Sequence, residues 1–222
     1  MSPDLDIYLI RHADPEKPLG TWTHPLAPLS KSGIDQATKL GQILRPVTFD
    51  EIISSTLPRS VQTTEILVRY LRKKLIVNQY SWLREIDLGE FGGKTSSELI
   101  KEFPELLLDF KQKFPGPLVV KLLIENPTFK FPSGENVQEF CERVVIPFKK
   151  WLATIKSGKT VGIVAHGGSL TIILLTLLNI DIKSSNFPVF VFNKSSYTHI
   201  RLLSGKTFIM ESNVIRPIPQ KL

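Results

Sequence analysis

The sequence predicts an α/β protein of three layers, α/β/α, with a mostly parallel central sheet and an inserted helical lid. Three observations predict it. Short apolar runs of strand length, Leu5–Ile10, Phe49–Ser54 and Thr160–Ala165, alternate with longer stretches of helical period. Ionisable side chains stand at or within a few residues of the ends of these runs, where the carboxyl ends of parallel strands open a crevice. A segment from about residue 94 to 132, broken by prolines and rich in large apolar groups, interrupts the alternation and reads as a lid inserted into one domain spanning 1–222.

Composition narrows the class. With 42% hydrophobic and 22% charged residues, a chain of 222 residues can bury a sizeable core. Its formal charge of +7 favours anionic partners without selecting among them. The densest basic run, Arg69–Lys74, closes a predicted helix, where positive charge complements the dipole and faces solvent. A single cysteine, Cys141, excludes an internal disulfide and argues against a cysteine metal site. The start of the chain shows no signal-peptide pattern, so a reducing, cytoplasmic setting is expected. The apolar stretch Val161–Ile180 has membrane-like length, yet Gly167-Gly168 splits it into a strand and a buried helix. No nucleic-acid motif and no membrane span are expected.

The first strand, Leu5–Ile10, is apolar at every position but Asp6 and stops at Arg11-His12. Buried charge is costly unless paired, so these two groups are expected to face an anion pocket. Pro15–Leu29 holds four prolines and a glycine and reads as a loop, with Trp22 and His24 as ordinary loop residues. Ser30 can cap a helix to Leu44, with Ile34, Ala37, Leu40, Gly41 and Leu44 on one face. After Phe49–Ser54, Ser55 or Thr56 can cap a second helix with Pro58 in its first turn, running to about Tyr70. Arg59 then lies at the positive end of that helix, a good place for an anion.

A third strand, Leu75–Tyr80, leads into a glycine-rich loop that carries Glu85. Beyond the lid, Ser133-Gly134-Glu135 is expected to open a helix to about Ile155. Thr160–Ala165 ends at His166-Gly167-Gly168. Strands near Val189–Phe192, Tyr197–Leu203 and Thr207–Ser212 close the sheet, and the apolar Val189–Phe192 is a candidate for pairing across a homodimer.

Arg11, His12, Arg59, Glu85 and His166 thus fall at strand ends that converge in a parallel sheet. The chemistry they share is phosphoryl transfer. Arginines grip phosphate oxygens through charge-assisted hydrogen bonds of roughly 1.5–3 kcal/mol each. A neutral histidine can attack phosphorus, a second can hold charge on the oxygens, and a carboxylic acid can protonate the leaving group. A Gly-x-Ser-x-Gly nucleophile turn is absent, which argues against an esterase.

Five motifs in order carry a family resemblance: Leu9-Ile10-Arg11-His12; Leu29–Ala37; Ser54–Thr63; Leu83–Gly93 with Glu85; and Val164–Gly168 with His166. The sequence resembles the histidine phosphatase superfamily, which includes cofactor-dependent phosphoglycerate mutases and many phosphatases. The resemblance implies that His12 is the phosphorylated nucleophile, that Arg11, Arg59 and His166 form the phosphate pocket, and that Glu85 donates the proton. It implies no metal, and no cofactor is expected. The family most often has glycine then glutamate after the histidine; here Ala13-Asp14 stands. The lid lysines are scattered and no arginine pair is adjacent, so a phosphatase acting on a small, bulky or partly apolar phosphate ester fits better than a mutase. A mutase and a non-catalytic phospholigand-binding module are the alternatives.

Overall fold

The computed structural model of the protein describes residues 4–18, 21, 23–103, 129–181 and 190–215. Among these the central sheet has six strands: β1 (Leu5–Arg11), β2 (Glu51–Ser55), β3 (Val77–Tyr80), β4 (Lys159–Ala165), β5 (Tyr197–Leu203) and β6 (Lys206–Val214). Their order is β3-β2-β4-β1-β5-β6. The first four run parallel, and β5 and β6 are antiparallel additions. A two-residue turn joins β5 to β6, with Ser204 and Gly205 both at positive φ as a tight hairpin needs.

Strand β1 sits inside the sheet, and its apolar sequence follows from burial on both faces. Leu5, Ile7 and Leu9 point into one core, while Tyr8 and Ile10 point into the other. Helices α4 (Val137–Leu152) and α5 (Gly167–Leu177) cover the first face with Phe140, Val144, Phe148, Leu170, Ile173 and Leu174. Helices α1 (Lys31–Leu44) and α2 (Pro58–Val68) cover the second with Leu40, Leu44 and Leu67. The three-layer α/β/α arrangement with a mostly parallel sheet is therefore the one the sequence predicts. The stretch Val161–Ile180 divides into β4 and the buried α5, and among the described residues no helix is long and apolar enough to cross a membrane.

Several local expectations change. Ile34 is exposed, and Gly33 takes its place on the buried face of α1. Neither Ser55 nor Thr56 caps α2; Leu57 holds that position without a side-chain bond. Both hydroxyls are engaged elsewhere: Thr56 Oγ1 accepts from Arg84 Nε at 2.6 Å, and Ser55 Oγ lies 2.9 Å from His166 Nε2. Ser133-Gly134-Glu135 is a turn before α4, with Ser133 at φ 56°, and Asn136 is the cap. Residues 190–192 are not in a strand and residue 189 lies outside the described residues, so the strand expected at Val189–Phe192 is not found among the described residues. Of the expected lid, α3 (Ser96–Glu102) and Phe129–Pro132 are described, while 104–128 lie outside the described residues, as does Trp22.

Candidate active site

Register brings the first two groups together. Arg11 at the end of β1 pairs with Ala165 at the end of β4, so His12 and His166 leave adjacent parallel strands side by side. Their rings lie 4.8 Å apart between centroids, and both are buried. His12 N donates to Ala165 O at 3.0 Å and fixes the crossing.

The tautomer of His12 follows from its partners. Nδ1 lies 2.6 Å from the carbonyl oxygen of Ala13, which can only accept, so Nδ1 carries the hydrogen. Nε2 then holds a lone pair, and Arg59 Nε donates to it at 3.3 Å. Burial first, and Arg59 and Arg11 second, push the His12 pKa well below its ordinary value, so the ring is neutral. Arg59 is itself buried; Nη1 donates to Pro25 O at 3.0 Å, and desolvation lowers the guanidinium to about 10, still charged at neutral pH.

His166 is held from the other side. Its Nε2 lies 2.9 Å from Ser55 Oγ and 3.2 Å from Ser60 Oγ, hydroxyls at the end of β2 and in the first turn of α2. Burial and the neighbouring His12, Arg59 and Arg11 keep this ring neutral also. Among the described residues, two buried side-chain nitrogens have no hydrogen-bond partner: His166 Nδ1 and Arg11 Nε. Arg11 anchors through Nη1 to Phe192 O, and its guanidinium lies against the start of α5.

Glu85 reaches the same place from the loop after β3. Its carboxylate accepts from Gly168 N at 3.0 Å and Ile86 N at 3.1 Å. A Cβ at Gly168 would stand 2.3 Å from Glu85 Oε1, so any side chain there would push the carboxylate aside. Glu85 acts electrostatically on both Arg11 and Arg59. The five residues singled out in the sequence therefore converge on one pocket, with two cations, two neutral imidazoles and one carboxyl.

A family model described as the histidine phosphatase superfamily, branch 1, matches residues 7–215. The chain belongs to the histidine phosphatase superfamily. It is 30% identical over 70% of its length to 75% of a 2,3-bisphosphoglycerate-dependent phosphoglycerate mutase of Buchnera aphidicola. It is 29% identical over 94% of its length to 92% of phosphoserine phosphatase 1 of Hydrogenobacter thermophilus. The crystal structure of the alpha-ribazole phosphatase from Shigella flexneri shares the fold at a TM-score of 0.78 and 21% identity, covering 97% of this chain and 100% of that one.

Within this superfamily member the Ala13-Asp14 departure has a plain structural account. Ala13 is fully buried against Leu29, Ala37 and Ile66, and its N–H donates to Thr63 Oγ1 at 3.0 Å. Asp14 pairs with Lys194 and accepts from Gln36 Nε2 at 2.7 Å, while its own N–H donates to Gln36 Oε1. Sequence reasoning missed Gln36, Ser55, Ser60 and Lys194. Ser55 and Ser60 lay inside the Arg59 motif, where Ser55 was readable only as a cap and Ser60 had no assigned part. Lys194 had no signal, since it meets Asp14 across 180 positions. His24 is exposed and its Nδ1 accepts from Leu26 N at 3.1 Å, an ordinary loop role as expected.

Proposed function

We propose that the protein is a metal-independent phosphomonoester hydrolase that carries the phosphoryl group on Nε2 of His12. The observation that carries this reading is the locked His12 tautomer, which aims a lone pair into a pocket lined by two arginines and a neutral imidazole. His166 Nε2 faces the hydroxyls of Ser55 and Ser60, which can donate or accept, and in the tautomer that accepts from them Nδ1 carries the hydrogen. That hydrogen and Arg11 Nε are the two unpartnered donors, and a dianionic phosphoryl group supplies the acceptors both lack.

The Nε2 lone pair attacks phosphorus and the bond to the ester oxygen breaks. The carboxyl of Glu85 gives its proton to that oxygen, and the alcohol leaves. Glu85, now a carboxylate, takes a proton from water; the water oxygen attacks phosphorus, the N–P bond breaks, and inorganic phosphate departs with the His12 lone pair restored. Arg11, Arg59 and His166 hold the three non-bridging oxygens through both steps.

We take the segment 94–132 as the lid over this pocket within the same domain. Its two ends meet on the loop that carries Glu85: Phe91 packs on Phe103 and Phe131 at 5.1 and 5.3 Å, and Glu90 N donates to Pro132 O. The substrate is a small phosphate ester. The phosphoserine phosphatase relative aligns over most of both chains, which supports hydrolysis, while the mutase relatives support a second reading of phosphoryl transfer between positions of one substrate.

His12→Ala is expected to abolish both the hydrolysis of an aryl phosphate and the formation of an acid-labile phosphoryl label on the protein. Retention of more than a few per cent of either would overturn the reading. A product assay with a phosphorylated sugar acid separates the two activities, since a mutase isomerises faster than it releases phosphate.

A further inference from the structure

One strong polar assembly lies outside the pocket. Glu135, in the turn before α4, and Arg143, two turns into that helix, form a two-pronged ion pair: Nε to Oε1 at 2.5 Å and Nη2 to Oε2 at 2.8 Å. The rest of the guanidinium faces the chain that carries Glu85. Nη1 donates to the carbonyl oxygens of Ser81, Trp82 and Arg84 at 3.2–3.3 Å, and Nη2 donates to that of Glu85 at 3.1 Å. Glu135 completes the grip, since its Oε2 accepts from Asp87 N at 2.9 Å and its own N–H donates to Asp87 O at 2.9 Å.

Residues 85–88 have no helix or strand to satisfy their backbone. The Arg143 side chain serves the Glu85 carbonyl and the Glu135 side chain the Asp87 N–H, while Ile86 N–H turns to the Glu85 carboxylate and Leu88 O to Phe91 N. We propose that Arg143, with Glu135, is the positioning residue for Glu85, setting where its carboxyl stands over the leaving oxygen. The backbone of Glu85 is thus fixed by α4, and its carboxylate by Gly168 N at the start of α5. A planar guanidinium is suited to the task because it serves a carboxylate and a fan of carbonyls together, which a lysine ammonium cannot. The hydrogen bonds of Arg143 run to Glu135 and to the backbone of 81–85, its charge acts weakly on His166, and the clamp rests on the reading of Glu85 as the acid.

The test exploits leaving groups. A good leaving group, such as dinitrophenolate, departs unprotonated and needs little from a general acid, whereas an alkoxide needs it fully. Values of kcat/KM, which report steps up to leaving-group departure, are compared for alkyl phosphate and dinitrophenyl phosphate. Wild type, Glu85→Gln, Arg143→Met, Arg143→Lys and Glu135→Gln are measured together. Arg143→Met is expected to lose roughly 10- to 100-fold on alkyl phosphate, part of the 10²–10⁴ a general acid supplies. It should stay near wild type on dinitrophenyl phosphate and keep the wild-type inhibition constant for inorganic phosphate.

Arg143→Lys and Glu135→Gln are expected to show the same selectivity at smaller size. They decide the matter if Arg143→Met does not fold. A loss equal on both substrates, or no loss in a folded variant, overturns the clamp. A Glu85→Gln enzyme without leaving-group selectivity overturns the acid assignment instead, so the two failures are distinguishable.

Discussion

At the scale of single residues, function depends on which nitrogen holds a proton. The Ala13 carbonyl fixes the hydrogen of His12 on Nδ1 and leaves the Nε2 lone pair facing Arg59, the nucleophile in the proposed mechanism, while two serine hydroxyls flank Nε2 of His166. The replacement of glycine-glutamate by Ala13-Asp14 leaves this intact, because Ala13 fills an apolar pocket and Asp14 is engaged by Gln36 and Lys194. Gly168 is less tolerant. A methyl group there overlaps Glu85 Oε1, so Gly168→Ala is expected to displace the carboxyl and lower kcat on an alkyl phosphate by about tenfold or more. Steady-state kinetics beside a thermal melt check this: the expected outcome is a large kinetic loss with a small change in Tm.

At the scale of elements, the loop after β1 is held by the helix that follows it. Helix α1 begins at Ser30, whose hydroxyl accepts from Gly33 N, and Gly33 lies directly on the backbone of Asp14. Helix propensity alone favours Gly33→Ala by about 1 kcal/mol. The new Cβ would stand 2.1 Å from Asp14 O, an overlap with backbone that cannot swing aside. Overpacking of this kind costs roughly 1–3 kcal/mol, so the clash outweighs the propensity. Gly33→Ala should therefore lower the urea midpoint, and lower kcat as well, since the loop it displaces carries the carbonyl that orients His12. A rise in stability would show that the loop yields freely.

At the scale of the whole molecule, burying two neutral histidines makes stability depend on pH. Both have folded pKa values depressed well below the ordinary 6.5. Below pH 6.5 the unfolded chain takes up protons that the folded protein refuses, so stability falls as pH falls, and it stops falling from this source at the depressed folded values. The depressed carboxylates Asp6 and Asp14 act lower, below about their ordinary 3.8. Urea titrations between pH 7.5 and 5 are expected to show the loss, and His166→Asn to flatten it. Inorganic phosphate at about 100 times its dissociation constant should add roughly 2.7 kcal/mol if it binds only the folded state.

The sequence by itself determined the layers and picked out the five residues that the fold brings together. Apolar runs and helical periods are local records of burial, so β1, β4 and α5 were readable, and Arg11, His12, Arg59, Glu85 and His166 were found because each follows a strand or opens a helix. Caps and edges were less legible: Ser55 looked like a cap until His166, 111 positions away, claimed its hydroxyl. The tertiary structure alone decided the direction of the His12 lone pair, the hydroxyls around His166, and the hold of Arg143 on Glu85 across 58 positions. The physical reason is that a hydrogen bond between distant segments leaves no period in either one. It exists only once the sheet has brought the two backbones together.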